Sequence, residues 1–255
     1  MTAGTTLRFS LVLLLAMSAG GWIHASQEST GGHDSSVALA ELRLGLGAME
    51  EGDYDSALGH YGRALENAEI SELRFQAHLG VGSAYAATDR LDDAAAAYRA
   101  ALEIRPNDPA TLYSLGLVTK DQGRYEDAAA LFATAAVRDP QFGEALVELG
   151  IVYAYLGRHE DSAGACRRAM PILEDDEAAL LCVGVALFQL GRYSEAIPAF
   201  ETAIEANPGN PRAHYGLGIT MLNAGDRNGA VAEVGVLNEL DPKLANDLYE
   251  RIFPP

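Results

Sequence analysis

Gly82, Gly116, Gly150, Gly184 and Gly218 stand 34 residues apart. Other positions keep the same spacing. Gly123, Gly157, Gly191 and Gly225 form one series, Ala94, Ala128, Ser162, Ala196 and Ala230 a second, and Tyr98, Phe132, Cys166, Phe200 and Val234 a third. Ala101, Ala135, Ala169 and Ala203 follow, and Pro106, Pro140, Pro208 and Pro242 close four units. A period of this length means that one supersecondary unit recurs and that each copy hides its apolar surface against the next.

The residue types say what the unit is. Gly116 and its equivalents suit a crossing of two helices, with Ala128 opposite so that the backbones approach closely and Phe132 or Tyr98 filling the wider space one turn further on. Gly123 and its equivalents follow the first helix, where a left-handed residue caps the last turn and reverses the chain. Asp89 replaces that glycine once, and Asp tolerates the geometry better than most residues. Proline suits the end of a unit because it cannot continue a helix interior.

Leu115-Gly116, Leu149-Gly150 and Tyr153 in the first helix, Ala128 and Phe132 in the second, and Asp139-Pro140 in the closing turn together resemble the tetratricopeptide repeat (TPR). The resemblance implies an all-α, right-handed superhelical solenoid of about six helical hairpins: 38–74, 75–108, 109–142, 143–176, 177–210 and 211–242, then a capping helix within 243–255. The chain departs from the pattern at the opening aromatic position, where Leu112, Leu146, Leu180, His78 and His214 stand. The first unit shares Gly45, Gly52, Tyr54, Ala57, Tyr61 and Ala64, but it carries three extra residues and lacks the closing proline.

The amino end reads as an export signal: Arg8, an apolar run from Phe9 to Met17, the small residues Ala19, Gly20 and Gly21, and cleavage after Ala25. That places the protein in a periplasmic or secreted compartment. A retained membrane anchor at 9–23 is the alternative, although the apolar run is shorter than the ~20 residues of a spanning helix. No Cys follows the run, which argues against a lipoprotein. Residues 26–37 are polar and read as a flexible linker. Net charge is −18, from 18 Lys and Arg against 36 Asp and Glu, so nucleic acid is a poor partner.

Chemistry is sparse. Gly80-x-Gly82 and Gly216-x-Gly218 start like a nucleotide-binding loop, but no third glycine follows and both pairs belong to the repeat. The histidines, His24, His33, His60, His78, His159 and His214, are scattered without metal-site spacing. Ser83 has no nucleophile elbow around it, and Asp92-Asp93 and Asp175-Asp176 suit helix starts, where the helix dipole favours negative charge. No catalytic residues, metal or cofactor are expected. Cys166 and Cys182 leave two readings open: a disulfide between adjacent helices in an oxidising compartment, or two buried apolar residues. Pro171, late in that helix, and Glu174, where neighbouring units have proline, weaken the region locally.

In proteins that this chain resembles, the first helices line a concave face that binds peptides. The resemblance carries that role to Leu42, Leu46, Met49, Leu79, Ser83, Tyr113, Leu117, Lys120, Val147, Ile151, Tyr155, Leu181, Val185, Phe188, Tyr215, Ile219 and Leu222. Their alternative use is packing between successive hairpins. The family's carboxylate clamp is not matched, since only Lys120, Arg212 and Asn223 are available. The sequence therefore predicts a non-enzymatic adaptor that holds other proteins or peptides, in an assembly or secretion complex outside the cytoplasm. A self-associating structural solenoid and an enzyme assembled across units are the competing readings, and the oligomeric state is not fixed.

Overall fold

The computed structural model describes residues 33–173 and 176–254, and it is all-α. Its helices are α1 (His33–Glu51), α2 (Tyr54–Asn67), α3 (Ser71–Ala87), α4 (Leu91–Ile104), α5 (Pro109–Asp121) and α6 (Tyr125–Arg138). They continue as α7 (Gly143–Tyr155), α8 (His159–Ala169), α9 (Glu177–Gln189), α10 (Tyr193–Ala206), α11 (Pro211–Ala224), α12 (Arg227–Leu240) and α13 (Pro242–Ile252). The chain divides into a unit ending at Arg138 and a unit starting at Asp139. Each is a solenoid of stacked hairpins. In the first, α1–α2, α3–α4 and α5–α6 pair; in the second, α7–α8, α9–α10 and α11–α12 pair and α13 covers α12.

Local signals set the helix ends. Asp53, Asp108, Asp176, Asn210, Asp226 and Asp241 each accept a hydrogen bond from a backbone N–H in the first turn that follows, and Pro109, Pro211 and Pro242 occupy first-turn positions where no N–H is needed. Gly52, Gly123, Gly157, Gly191 and Gly225 turn the chain with φ between 71° and 93°, and Asp89 does so at 62°. Just after these turns Arg90, Arg124, Arg158 and Arg192 each pair with the acidic residue three positions on, a 34-residue series of its own.

The export signal read at 1–25, with Trp22, falls outside the described residues, as do Glu174 and Asp175. The flexible linker read at 26–37 is corrected in its last part, because α1 begins at His33. Pro171 does not intrude into a helix: α8 ends at Ala169. Pro198 does sit inside one, on the exposed side of α10.

The crossing glycines serve a purpose different from the expected backbone approach. A Cβ on Gly45 would come within 2.6 Å of the Tyr61 ring, one on Gly82 within 2.7 Å of Tyr98, one on Gly116 within 2.6 Å of Phe132 and one on Gly184 within 2.9 Å of Phe200. The aromatic ring lies over the glycine itself, not one turn beyond it. Rings also reach forward. A Cβ on Gly80, in the next hairpin, would be 2.5 Å from Tyr61, and Gly216 is covered in the same way by Phe200. Gly80-x-Gly82 is thus two beds for two rings, one from the preceding hairpin and one from its own, whereas in Gly216-x-Gly218 the second glycine lies under Leu248 and Glu233. Tyr61, Tyr98, Phe132 and Phe200 are all buried at the centre of this packing.

Candidate functional site

The joint between α8 and α9 departs from this scheme. Cys166 occupies the ring position and Cys182 the position equivalent to Gly80 and Gly216, and a disulfide joins them with Cα atoms 5.7 Å apart. Gly150 keeps its role as the bed, since a Cβ there would strike Cys166 Sγ, lie 2.8 Å from Cys182 Sγ and 3.3 Å from the Ser162 carbonyl oxygen. Two sulfur atoms fill far less space than a phenyl ring.

Beside this disulfide the second unit has a cavity of about 460 Å3. Ile151, Ala154 and Tyr155 of α7 form one wall, Ala178, Leu181, Cys182 and Val185 of α9 another; Ser162 of α8 and Arg212 of α11 complete it. Ser162 and Cys182 are buried at its floor, whereas Tyr155 is 66% exposed and Val185 42% exposed at its mouth. The lining is overwhelmingly apolar, with the exposed Arg212 as its one charged residue.

Four of the residues assigned to a binding face thus meet at one cavity: Ile151, Tyr155, Leu181 and Val185. The others are elsewhere. In the first unit Leu42, Met49, Leu79, Ser83 and Leu117 are buried in packing, and Leu46 is half-buried. Tyr113 packs its ring on Phe132 at 5.7 Å between centroids, and Lys120 is half-buried. In the second unit Val147 is buried, Phe188 packs on Tyr193, and Tyr215, Ile219 and Leu222 pack onto the core shared by α12 and α13. The Tyr215 hydroxyl donates to the Asp247 carboxylate at 2.5 Å. Burial, and then that carboxylate, raise the Tyr215 hydroxyl above its usual pKa, while the same bond and Arg251 lower Asp247.

Ala154, Ser162 and Ala178 were missed. The signal was present for Ala154: its equivalents one period away are Lys120 and Phe188, so a small side chain there leaves a gap. Elsewhere the polar groups are structural. Ser83 shares a hydrogen bond of 3.1 Å with the Tyr98 hydroxyl, His60 pairs with Glu41, and His214 is held between Glu233 and the Pro208 carbonyl. Among the described residues no group of three or more His, Cys, Asp or Glu is gathered for a metal ion, and no helix is long and apolar enough to cross a membrane.

Stacked helical hairpins with ring-on-glycine joints define a repeat protein built to present a surface. The chain belongs to the tetratricopeptide repeat family, whose models match residues 42–109, 113–177 and 187–252. It is similar to the photosystem I assembly protein Ycf3 of Synechococcus sp. (strain CC9605), 36% identical over 90 residues that make up 35% of this chain and 52% of that protein. The chain thus spans about half the length of the curated relatives it matches. Among solved structures it resembles MamA, with a TM-score of 0.61 and 26% identity over 68% of this chain and 94% of that one. A tetratricopeptide repeat protein from Parabacteroides merdae gives a TM-score of 0.73 at 18% identity, covering 85% of this chain and 86% of that one. The fold of the chain is that of a TPR solenoid.

Proposed function

We propose that the protein is a non-enzymatic adaptor that works outside the cytoplasm and captures polypeptide segments at the α7–α9–α11 cavity during assembly of a larger complex. The observation that carries this reading is the cavity itself. It gathers apolar side chains on successive first helices, leaves Tyr155 and Val185 exposed, and offers one guanidinium, a composition suited to an amphipathic segment. Aromatic side chains at such a mouth give large contact area for little lost freedom. Similarity to an assembly protein, Ycf3, over 90 residues accords with a role in assembly. The export signal read at 1–25 and the Cys166–Cys182 disulfide both suit an oxidising compartment.

The test compares the purified protein with its Tyr155→Ala variant in capturing polypeptides from the native envelope fraction. The variant is expected to lose captured chains while melting at nearly the same temperature. An unchanged set of captured chains would remove the cavity from the function. The export reading has a separate check, because Trp22 is the only tryptophan. Native mature protein is expected to lack indole emission, and an indole signal would argue for a retained segment.

A further inference from the structure

We propose that the cavity is a receptor for an aromatic side chain of a partner polypeptide with a carboxylate close beside it, the ring filling the space that the chain's own repeat leaves vacant and the carboxylate meeting Arg212. This deepens the protein-capture reading and rests on it. Register supplies the first argument. Tyr98 lies over Gly82, and its hydroxyl bonds with Ser83, with the Ser114 hydroxyl beside it. Two periods further on, the equivalents of Tyr98, Ser83 and Ser114 are Cys166, Ile151 and Cys182. Ile151 and Cys182 both line the cavity, so its floor is the place that the tip of an intramolecular ring occupies two repeats earlier. Tyr61 and Phe200 fill the same slot in their own joints.

Size agrees. A dry apolar cavity of about 150 Å3 is enough to hold benzene, and this one measures about 460 Å3, leaving room for a ring and the chain that bears it. Charge supplies the second argument. In the same unit Arg158, Arg192 and Arg251 are committed to Asp161, Glu195 and Asp247. Arg212 donates its backbone N–H to the Asn210 side chain, but its guanidinium has no hydrogen-bond or ion-pair partner among the described residues. A cation held at the edge of an apolar cavity favours an anion there. The net charge of −18 does not cancel this, since exposed charges are screened beyond about 8 Å at physiological ionic strength.

The test titrates N-acetylphenylalanine into the purified protein with its disulfide intact and follows the methyl resonances of Ile151, Leu181 and Val185. Those methyls are expected to shift, N-acetylalanine to leave them unmoved, and N-acetylphenylalanine amide to bind about three- to tenfold more weakly. In Arg212→Gln the acid and the amide are expected to bind alike. A variant carrying Cys166→Phe and Cys182→Gly reproduces the Phe200–Gly216 pair and is expected to lose the response. Should it fail to fold, Val185→Trp closes the mouth from the solvent side and serves the same purpose. Equal response to N-acetylalanine, no response at all, or a response that survives Val185→Trp would overturn the ring site. Acid and amide binding equally in the unaltered protein would overturn the carboxylate. If the probes fail in these ways while Tyr155→Ala still abolishes polypeptide capture, the inference falls and the capture reading stands.

Discussion

The α4–α5 joint of the first unit and the α8–α9 joint of the second occupy the same register and are closed by different means. In the first, Tyr98 lies fully buried over Gly82 and bonds with Ser83, so volume, dispersion and a hydrogen bond act together. In the second, a covalent bridge between Cys166 and Cys182 takes over the fastening, and the space of the ring is left to the cavity. A buried ring stabilises the folded state directly, whereas a disulfide acts mainly by restricting the unfolded chain. What the repeat specifies, then, is a slot at a fixed register, and the slot can be filled by packing or by a bond.

Substitutions that empty or overfill the slot measure the difference. Tyr98→Ala removes a fully buried ring and is expected to destabilise by about 3–5 kcal/mol, read by denaturant unfolding. Replacing both Cys166 and Cys182 by Ser should lower stability by about 3 kcal/mol, the figure expected for a loop of this size, the cysteines standing 16 positions apart. A smaller loss on removing the bridge than on removing the ring fits the comparison, and a larger one reverses it.

The two joints should also part in alkali. Burial pushes the Tyr98 hydroxyl up from 10.0 to about 12, an effect the Ser83 and Ser114 hydroxyls partly offset. Between these values the folded protein holds a proton that the unfolded chain has released, so this contribution is complete below pH 10 and is lost as pH rises towards 12. The loss is about 2–3 kcal/mol, and Tyr98→Phe should flatten the slope. The disulfide joint has no titrating group and adds nothing to it. Gly150→Leu would drive a side chain against both sulfurs and the Ser162 carbonyl, costing about 1–3 kcal/mol. Tyr155→Ala marks the lower end: at 66% exposure it should change stability by no more than about 0.5 kcal/mol while weakening capture.

Much of this architecture was legible in the sequence. The period marks the hairpins after the first, whose Gly45 stands 37 residues before Gly82, and the φ values of 76° at Gly123 and 62° at Asp89 match the left-handed caps read there. The beds of the rings were misread, because spacing along a helix does not say which side chain of the opposite helix lies over a given glycine. The binding face was the least legible part. Ser83 and Val185 hold the same repeat position, yet one is 3% exposed and the other 42%. Their fates depend on neighbours that the period does not fix: a Tyr98 hydroxyl reaches Ser83, while the small residues Ala154 and Ala178 lie around the cavity that Val185 borders. Apolar periodicity finds the face, and only the packing around it decides which part stays open.

Interchangeability of packing and bonding at one register is tested most directly at the next joint. Phe200 and Gly216 hold the positions of Cys166 and Cys182 one period later. A protein carrying Phe200→Cys and Gly216→Cys, purified without reductant and digested for mass spectrometry, is expected to yield a second bridge, 200–216, alongside 166–182. Free thiols at 200 and 216 in folded protein, or a bridge that exchanges partners with Cys166 or Cys182, would contradict the common slot.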